Sequence, residues 1–210
     1  NLTNRVSAAG TTSYAYDEAE RLISVQGPDK TVAYAYNPWT GLVDTETRGG
    51  GLTVAYAHDD LDRVTDIEYR NAASNLVYGV SYVYDAAGMI TQKVSRTASA
   101  TNTVAYVYDV LDRLVREDDG ATAREYDYDL AGNRTAMRVI AGGVTNLTSY
   151  VLGTGDRLAS WGTQGAAQYD IAGCVTNLVR ETAPAVTLQW DGQYRLTAAL
   201  TNGVPVESYG

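Results

Sequence analysis

The stretch YAYDEAERLISV at residues 14–25 returns as YVYDVLDRLVRE at residues 106–117. A repeat constrains a fold strongly, because each copy buries its apolar surface only by stacking on its neighbours. Aligned on the second aromatic, further copies read YAYNPWTGL (34–42), YAHDDLDRV (56–64), YVYDAAGMI (82–90), YDYDLAGNR (126–134), YVLGTGDRL (150–158), AQYDIAGCV (167–175) and LQWDGQYRL (188–196). Their anchors are Tyr16, Tyr36, His58, Tyr84, Tyr108, Tyr128, Leu152, Tyr169 and Trp190, and Ser208-Tyr209-Gly210 opens one more. The chain is therefore read as a single array over residues 1–210, with a partial unit at each end.

Each unit reads as a β-hairpin. Tyr-x-Tyr places two aromatics on one face of a strand, since side chains alternate. Asp17, Asp59, Asp85, Asp109, Asp129, Asp170 and Asp191 follow the aromatic, where a carboxylate bonds backbone amides two residues on and starts a turn. Gly88, Gly132 and Gly173 supply permissive backbone before the chain reverses, and a short apolar strand follows. Arg21, Arg63, Arg113 and Arg195 lie across the turn from the Asp, in position to pair with a carboxylate. Second turn signals, Gly27-Pro28-Asp29, Gly49-Gly50-Gly51, Asp119-Gly120, Gly142-Gly143 and Asn202-Gly203, separate the hairpins. The fold expected is all-β: an antiparallel meander of hairpins coiled by strand twist into a curved, spiral or hollow sheet.

Tyr16-Asp17 with Arg21-Leu22, Tyr108-Asp109 with Arg113-Leu114, and Tyr128-Asp129 with Gly132-Asn133 resemble the signature of the Rhs or YD-repeat family. That signature is Tyr-Asp, two variable residues, then Gly-Arg-Leu or Gly-Asn. The resemblance, shared with bacterial Rhs proteins, toxin-complex cocoons and animal teneurins, implies a long sheet wound into a hollow shell. Such a shell encloses a toxin or other cargo polypeptide, or stands at the cell surface as a scaffold, so a secreted or cell-surface location is expected. The chain departs from the family in showing no Asp-Pro-x-Gly core segment, which in relatives plugs the shell and in some cleaves itself.

Composition agrees with a half-wet sheet. The chain has 17 Tyr and 3 Trp but no Phe, and a Tyr ring carries a hydroxyl that needs water or a partner. With 16 basic residues against 25 acidic ones and a net charge of -9, no nucleic-acid partner is expected, because phosphate binding needs clustered Lys and Arg. No apolar run reaches the length of a spanning helix, so no membrane insertion is expected.

Residues with chemical capacity have structural readings beside them. His58 replaces a ring with a ring. Cys174 falls where other units carry Arg, with no base near it in sequence. The clusters Asp59-Asp60-Leu61-Asp62 and Glu117-Asp118-Asp119 match no calcium-loop spacing and sit at turns. Trp39, Trp161 and Trp190 have the flat faces that stack on sugar rings, an activity the family resemblance also suggests, while cross-strand aromatic pairing explains Tyr and Trp rows equally. Sequons occur at Asn1, Asn133 and Asn146. The expectation is a non-enzymatic structural protein without catalytic, metal or cofactor groups, its hairpins kept in register by ring-to-ring stacking. The alternatives are a module that binds glycans or proteins through exposed aromatics, and a subunit that self-assembles through its incomplete end units.

Overall fold

The computed structural model describes residues 3–7 and 10–208, so the Asn1 sequon and the Tyr209 anchor lie outside the described residues. Regular structure among them is entirely strand. The chain divides into two compact units, Asn1–Val107 and Tyr108–Gly210. The first holds β1 (Asn4–Ser7), β2 (Gly10–Tyr16), β3 (Leu22–Gln26), β4 (Thr31–Tyr36), β5 (Val43–Arg48), β6 (Leu52–His58), β7 (Val64–Arg70), β8 (Leu76–Tyr84) and β9 (Ile90–Arg96), with β10 (Thr101–Tyr108) ending at the boundary. The second holds β11 (Leu114–Asp118), β12 (Thr122–Tyr128), β13 (Arg134–Ala141), β14 (Val144–Leu152), β15 (Leu158–Trp161), β16 (Gly165–Tyr169), β17 (Val175–Arg180), β18 (Ala183–Trp190), β19 (Leu196–Thr201) and β20 (Val204–Ser208).

Pairing follows the sequence. From β1 to β10 each strand pairs antiparallel with the next. From β11 to β20 the same holds. Among the described residues no pairing closes the first strand of either unit onto its last, so each is an open meander, as the alternation of two turn types requires.

Each unit is one layer. Strands touch only their sequence neighbours among the described residues, and the buried apolar side chains are Val54, Val80 and Ala123, of which Val54 alone is fully shielded. Tyr suits such a sheet because its ring is half covered by neighbouring strands while its hydroxyl remains within reach of a polar group.

A bulge recurs at the anchor-aromatic end of the hairpins. Tyr16 faces Leu22 but Ala15 faces Ser24, so Ile23 is an extra residue opposite the bond between them. The same shift falls at His58, Tyr84, Tyr128, Tyr169 and Trp190. A bulge bends its strand and strengthens the local twist. Beyond it the neighbouring hairpins part: β3 and β4 pair from Ser24 onward, leaving the Leu22 carbonyl without a strand partner.

Candidate functional site

The feature repeated most consistently is the turn after the aromatic. In the first unit Asp17 Oδ1 accepts the N–H groups of Ala19 at 3.0 Å and Arg21 at 2.9 Å, while Oδ2 accepts Arg21 Nε at 2.7 Å. Asp59, Asp109 and Asp191 repeat this pattern. The Arg21 backbone N–H first, then its side chain, holds the Asp17 carboxyl below the usual range, and the Arg63 and Arg113 side chains do so for Asp59 and Asp109. Asp129 makes the turn with Asn133 in place of Arg, and Asp85 and Asp170 with the backbone N–H of Met89 and Cys174.

Four of the Arg side chains also reach forward. The Arg21 guanidinium carbon lies 4.6 Å from the centre of the Tyr36 ring, Arg63 4.5 Å from Tyr84, Arg113 4.8 Å from Tyr128 and Arg157 5.7 Å from Tyr169. Three of them donate onward to the backbone carbonyl of the next unit's Asp: Arg63 to Asp85 at 3.3 Å, Arg113 to Asp129 at 3.0 Å and Arg157 to Asp170 at 3.2 Å. The ring tip then fills the carbonyl exposed by the parting strands. Tyr36 donates to Leu22, Tyr84 to Val64, Tyr128 to Leu114 and Tyr169 to Leu158, at 2.7 to 3.0 Å. Trp190 does the same through Nε1 to Val175 at 2.7 Å.

This clamp corrects the expected register device. Ring-to-ring contacts among the described residues are Tyr69–Tyr78 and Tyr82–Tyr84, tilted pairs 6.1 and 6.4 Å apart. Successive hairpins are linked instead by Arg on ring and ring tip on carbonyl, because the bulge separates the strands at the end where rings would otherwise pair.

The clamps alternate. Units ending in Arg (Arg21, Arg63, Arg113, Arg157, Arg195) are interleaved with units whose residue there is Met89, Asn133, Cys174 or, in a turn one residue longer, Leu42. The residue before follows the same rhythm. Gly41, Gly88, Gly132 and Gly173 hold φ of 76°, 89°, 89° and 93° in the units without Arg, whereas Glu20, Asp62, Asp112, Asp156 and Tyr194 hold φ of 62°, 61°, 58°, 56° and 61° in the others. Each of these glycines stands in a unit that follows an Arg-bearing one, and at Gly173 a Cβ would lie 2.8 Å from Arg157 Nη2, while Gly41, Gly88 and Gly132 have room for one. The alternation was written in the sequence, as Arg-Leu turns taking turns with Ala-Gly turns, but aligning every copy on one consensus conceals it.

The other residues with chemical capacity are dispersed. His58 ends β6 half-buried and, among the described residues, its ring meets no hydrogen-bond partner, so the tip bond made by Tyr elsewhere is missing there. The Cys174 thiol is half-buried at a turn position. Glu117 accepts the Tyr126 hydroxyl at 2.9 Å, Asp118 pairs with Arg116 at 2.7 Å and Asp119 caps Ala121 and Thr122. These carboxylates diverge into separate bonds. Of the tryptophans, Trp39 is 93% exposed at a turn tip, Trp161 lies against Gly165 and Trp190 is committed to Val175. Trp161 and Trp190 belong to the second unit and Trp39 to the first. Asn133 bonds Asp129, while Asn146 is exposed in β14.

Against known proteins, a family model described as teneurin YD-shell matches residues 59–201. No curated protein matches the chain. Among solved structures it is similar to TcdB2-TccC3, with a TM-score of 0.65 and 14% identity over 95% of this chain and 13% of that one. It is similar also to the Photorhabdus luminescens Tc holotoxin pore, with a TM-score of 0.52 and 12% identity over 91% of this chain. The chain spans 13% of the length of each of these structures, and the likeness is one of fold.

Proposed function

The chain belongs to the teneurin YD-shell family, and from that premise we propose that it is a non-enzymatic wall segment whose work is mechanical: it helps enclose a polypeptide. The observation that carries this reading is the single layer. A unit whose strands touch only their sequence neighbours and whose sheet covers neither of its faces with a second layer has the build of a partition, with one face available to contents and the other to solvent. The two solved structures named above belong to Tc toxin assemblies, which favours a polypeptide cargo and a role outside the cell. The clamps supply cohesion without an oily core, so a wall one strand thick holds its register while both surfaces stay wet.

Sedimentation velocity on the purified chain tests the reading. A frictional ratio well above that of a compact 22.6 kDa sphere is expected from an uncovered sheet. A compact value would mean that the two faces fold onto one another, and the wall reading would be abandoned.

A further inference from the structure

In the unit YVLGTGDRL the clamp is incomplete. Gly153 stands where Asp17, Asp59, Asp109 and Asp191 stand in the other Arg-bearing units, and each of those carboxylates lies 2.7 Å from its Arg. Arg157 has kept the forward half of the device, with its guanidinium over the Tyr169 ring and Nη1 donating to the Asp170 carbonyl. Among the described residues no carboxylate pairs with it. A cavity of about 470 Å³ opens at this place, lined by Gly153, Thr154, Arg157, Gln168, Tyr169 and Thr176 among others. A half-buried guanidinium with open donors beside a cavity of polar lining is a receptor for a planar anion.

We propose that this cavity binds a carboxylate, which takes the place of the missing Asp side chain and pairs with Arg157. The four intact clamps in the same chain show the chemistry: a carboxylate oxygen on the guanidinium, with its partner oxygen directed to N–H groups of the turn. Here the Gly155 and Arg157 N–H groups meet no acceptor among the described residues, and Gly155, at φ 71°, gives this turn a different course from its sisters. Thr154, Gln168 and Thr176 provide further donors at the cavity wall. The ligand is either a small free acid or an acidic side chain on a polypeptide.

The test uses the whole chain with its arginine side chains labelled with nitrogen-15 and the Arg157 Nε–H resonance assigned through Arg157→Lys. Sodium acetate is titrated against sodium chloride at equal ionic strength. A saturable shift with acetate alone is expected, weakened at least about tenfold in Gly153→Asp, whose own carboxylate occupies the site. A Cβ at Gly153 has room, its nearest neighbours lying at 3.7 and 3.8 Å. An acetate response no larger than that to chloride, or one unchanged in Gly153→Asp, overturns the proposal. Arg157→Gln, read at the Tyr169 ring protons, is the second variant: the acetate response disappears there, and its persistence also overturns the proposal. Titration with N-acetyl-Gly-Asp-Gly amide separates the sources, since saturation below the acetate concentration identifies a polypeptide side chain and saturation at or above it a free acid.

Discussion

Arg63 lies with its guanidinium 4.5 Å from the centre of the Tyr84 ring, and the hydroxyl of that ring donates at 2.7 Å to the carbonyl of Val64, the residue next to Arg63. One ring in alternate hairpins, Tyr36, Tyr84, Tyr128 and Tyr169, is thus held at two points by the hairpin before it. Covalent neighbours in one hairpin, Arg63 and Val64, grip the face and the tip of the same ring.

Tyr84→Phe keeps the ring under Arg63 but removes the donor from the Val64 carbonyl, so a loss of about 1 kcal/mol is expected. Arg63→Ala removes the ring contact, the Asp59 pair and the Asp85 carbonyl bond together, for a loss of about 2 kcal/mol. Urea unfolding of the two variants and their double mutant checks this. Because both residues serve one junction, the double variant loses less than the sum, and strict additivity would show that face and tip act independently.

Glu20→Gly and Tyr194→Gly are expected to raise stability by about 0.5 to 1 kcal/mol each, since a side chain in the left-handed region carries a cost that glycine does not. Neither Glu20 nor Tyr194 receives an Arg from the preceding unit, so the removed side chain leaves no clamp unmade. Gly173→Ala has the opposite sign, because its Cβ would meet Arg157 at 2.8 Å in addition to the strain at φ 93°. Melting temperatures of the three variants decide the matter, and a destabilised Tyr194→Gly would contradict the account of that turn.

Acid should unfold the chain through its turns. In the folded state Asp17, Asp59, Asp109 and Asp191 are held below the ordinary carboxylate value of 3.8. As pH falls past that value the unfolded chain takes up protons before the folded one, so the stabilisation is complete above it and disappears as pH drops through the lowered folded values. The melting temperature is expected to be level between about pH 7 and 5 and to fall below about pH 4, less steeply in the double variant Asp59→Asn, Asp109→Asn. An acid slope unchanged by those substitutions would locate the sensitivity elsewhere.

His58→Tyr restores the aromatic used at the equivalent place in other units. The new hydroxyl is positioned to reach the Val43 carbonyl as Tyr84 reaches Val64, and a gain of about 1 kcal/mol is expected. Thermal melts are the check: unchanged or lowered stability would mean that the cavity lined by Asp44, Asp59 and His58 is shaped for the smaller ring.

Much of this architecture was legible in the sequence. Asp followed by Arg or Gly at fixed spacing encodes a local turn, and local hydrogen bonds depend little on the rest of the fold, so Asp17 bonds Ala19 as its position foretold. The role of the rings was less legible. Tyr36 and Leu22 are fourteen residues apart, and their bond exists only because a bulge parts the strands between them, an event that no alternation of side chains encodes. Trp190 shows the same limit, since its place in the Tyr row predicts a ring there but not that its N–H is spent on Val175. The unpaired state of Arg157 was present in the sequence as Gly153, yet an unmet charge acquires meaning only when a cavity is found beside it.

The alternation of Arg turns with Gly turns gives the sheet a grammar of pairs. The four Arg that reach forward, Arg21, Arg63, Arg113 and Arg157, each meet a unit whose turn carries glycine, at Gly41, Gly88, Gly132 and Gly173, so a hairpin added alone would break that order. Two hairpins added together keep every donor matched to its receiver. A wall of this kind lengthens in even steps, and the unit of duplication is the couplet, twice the motif that catches the eye.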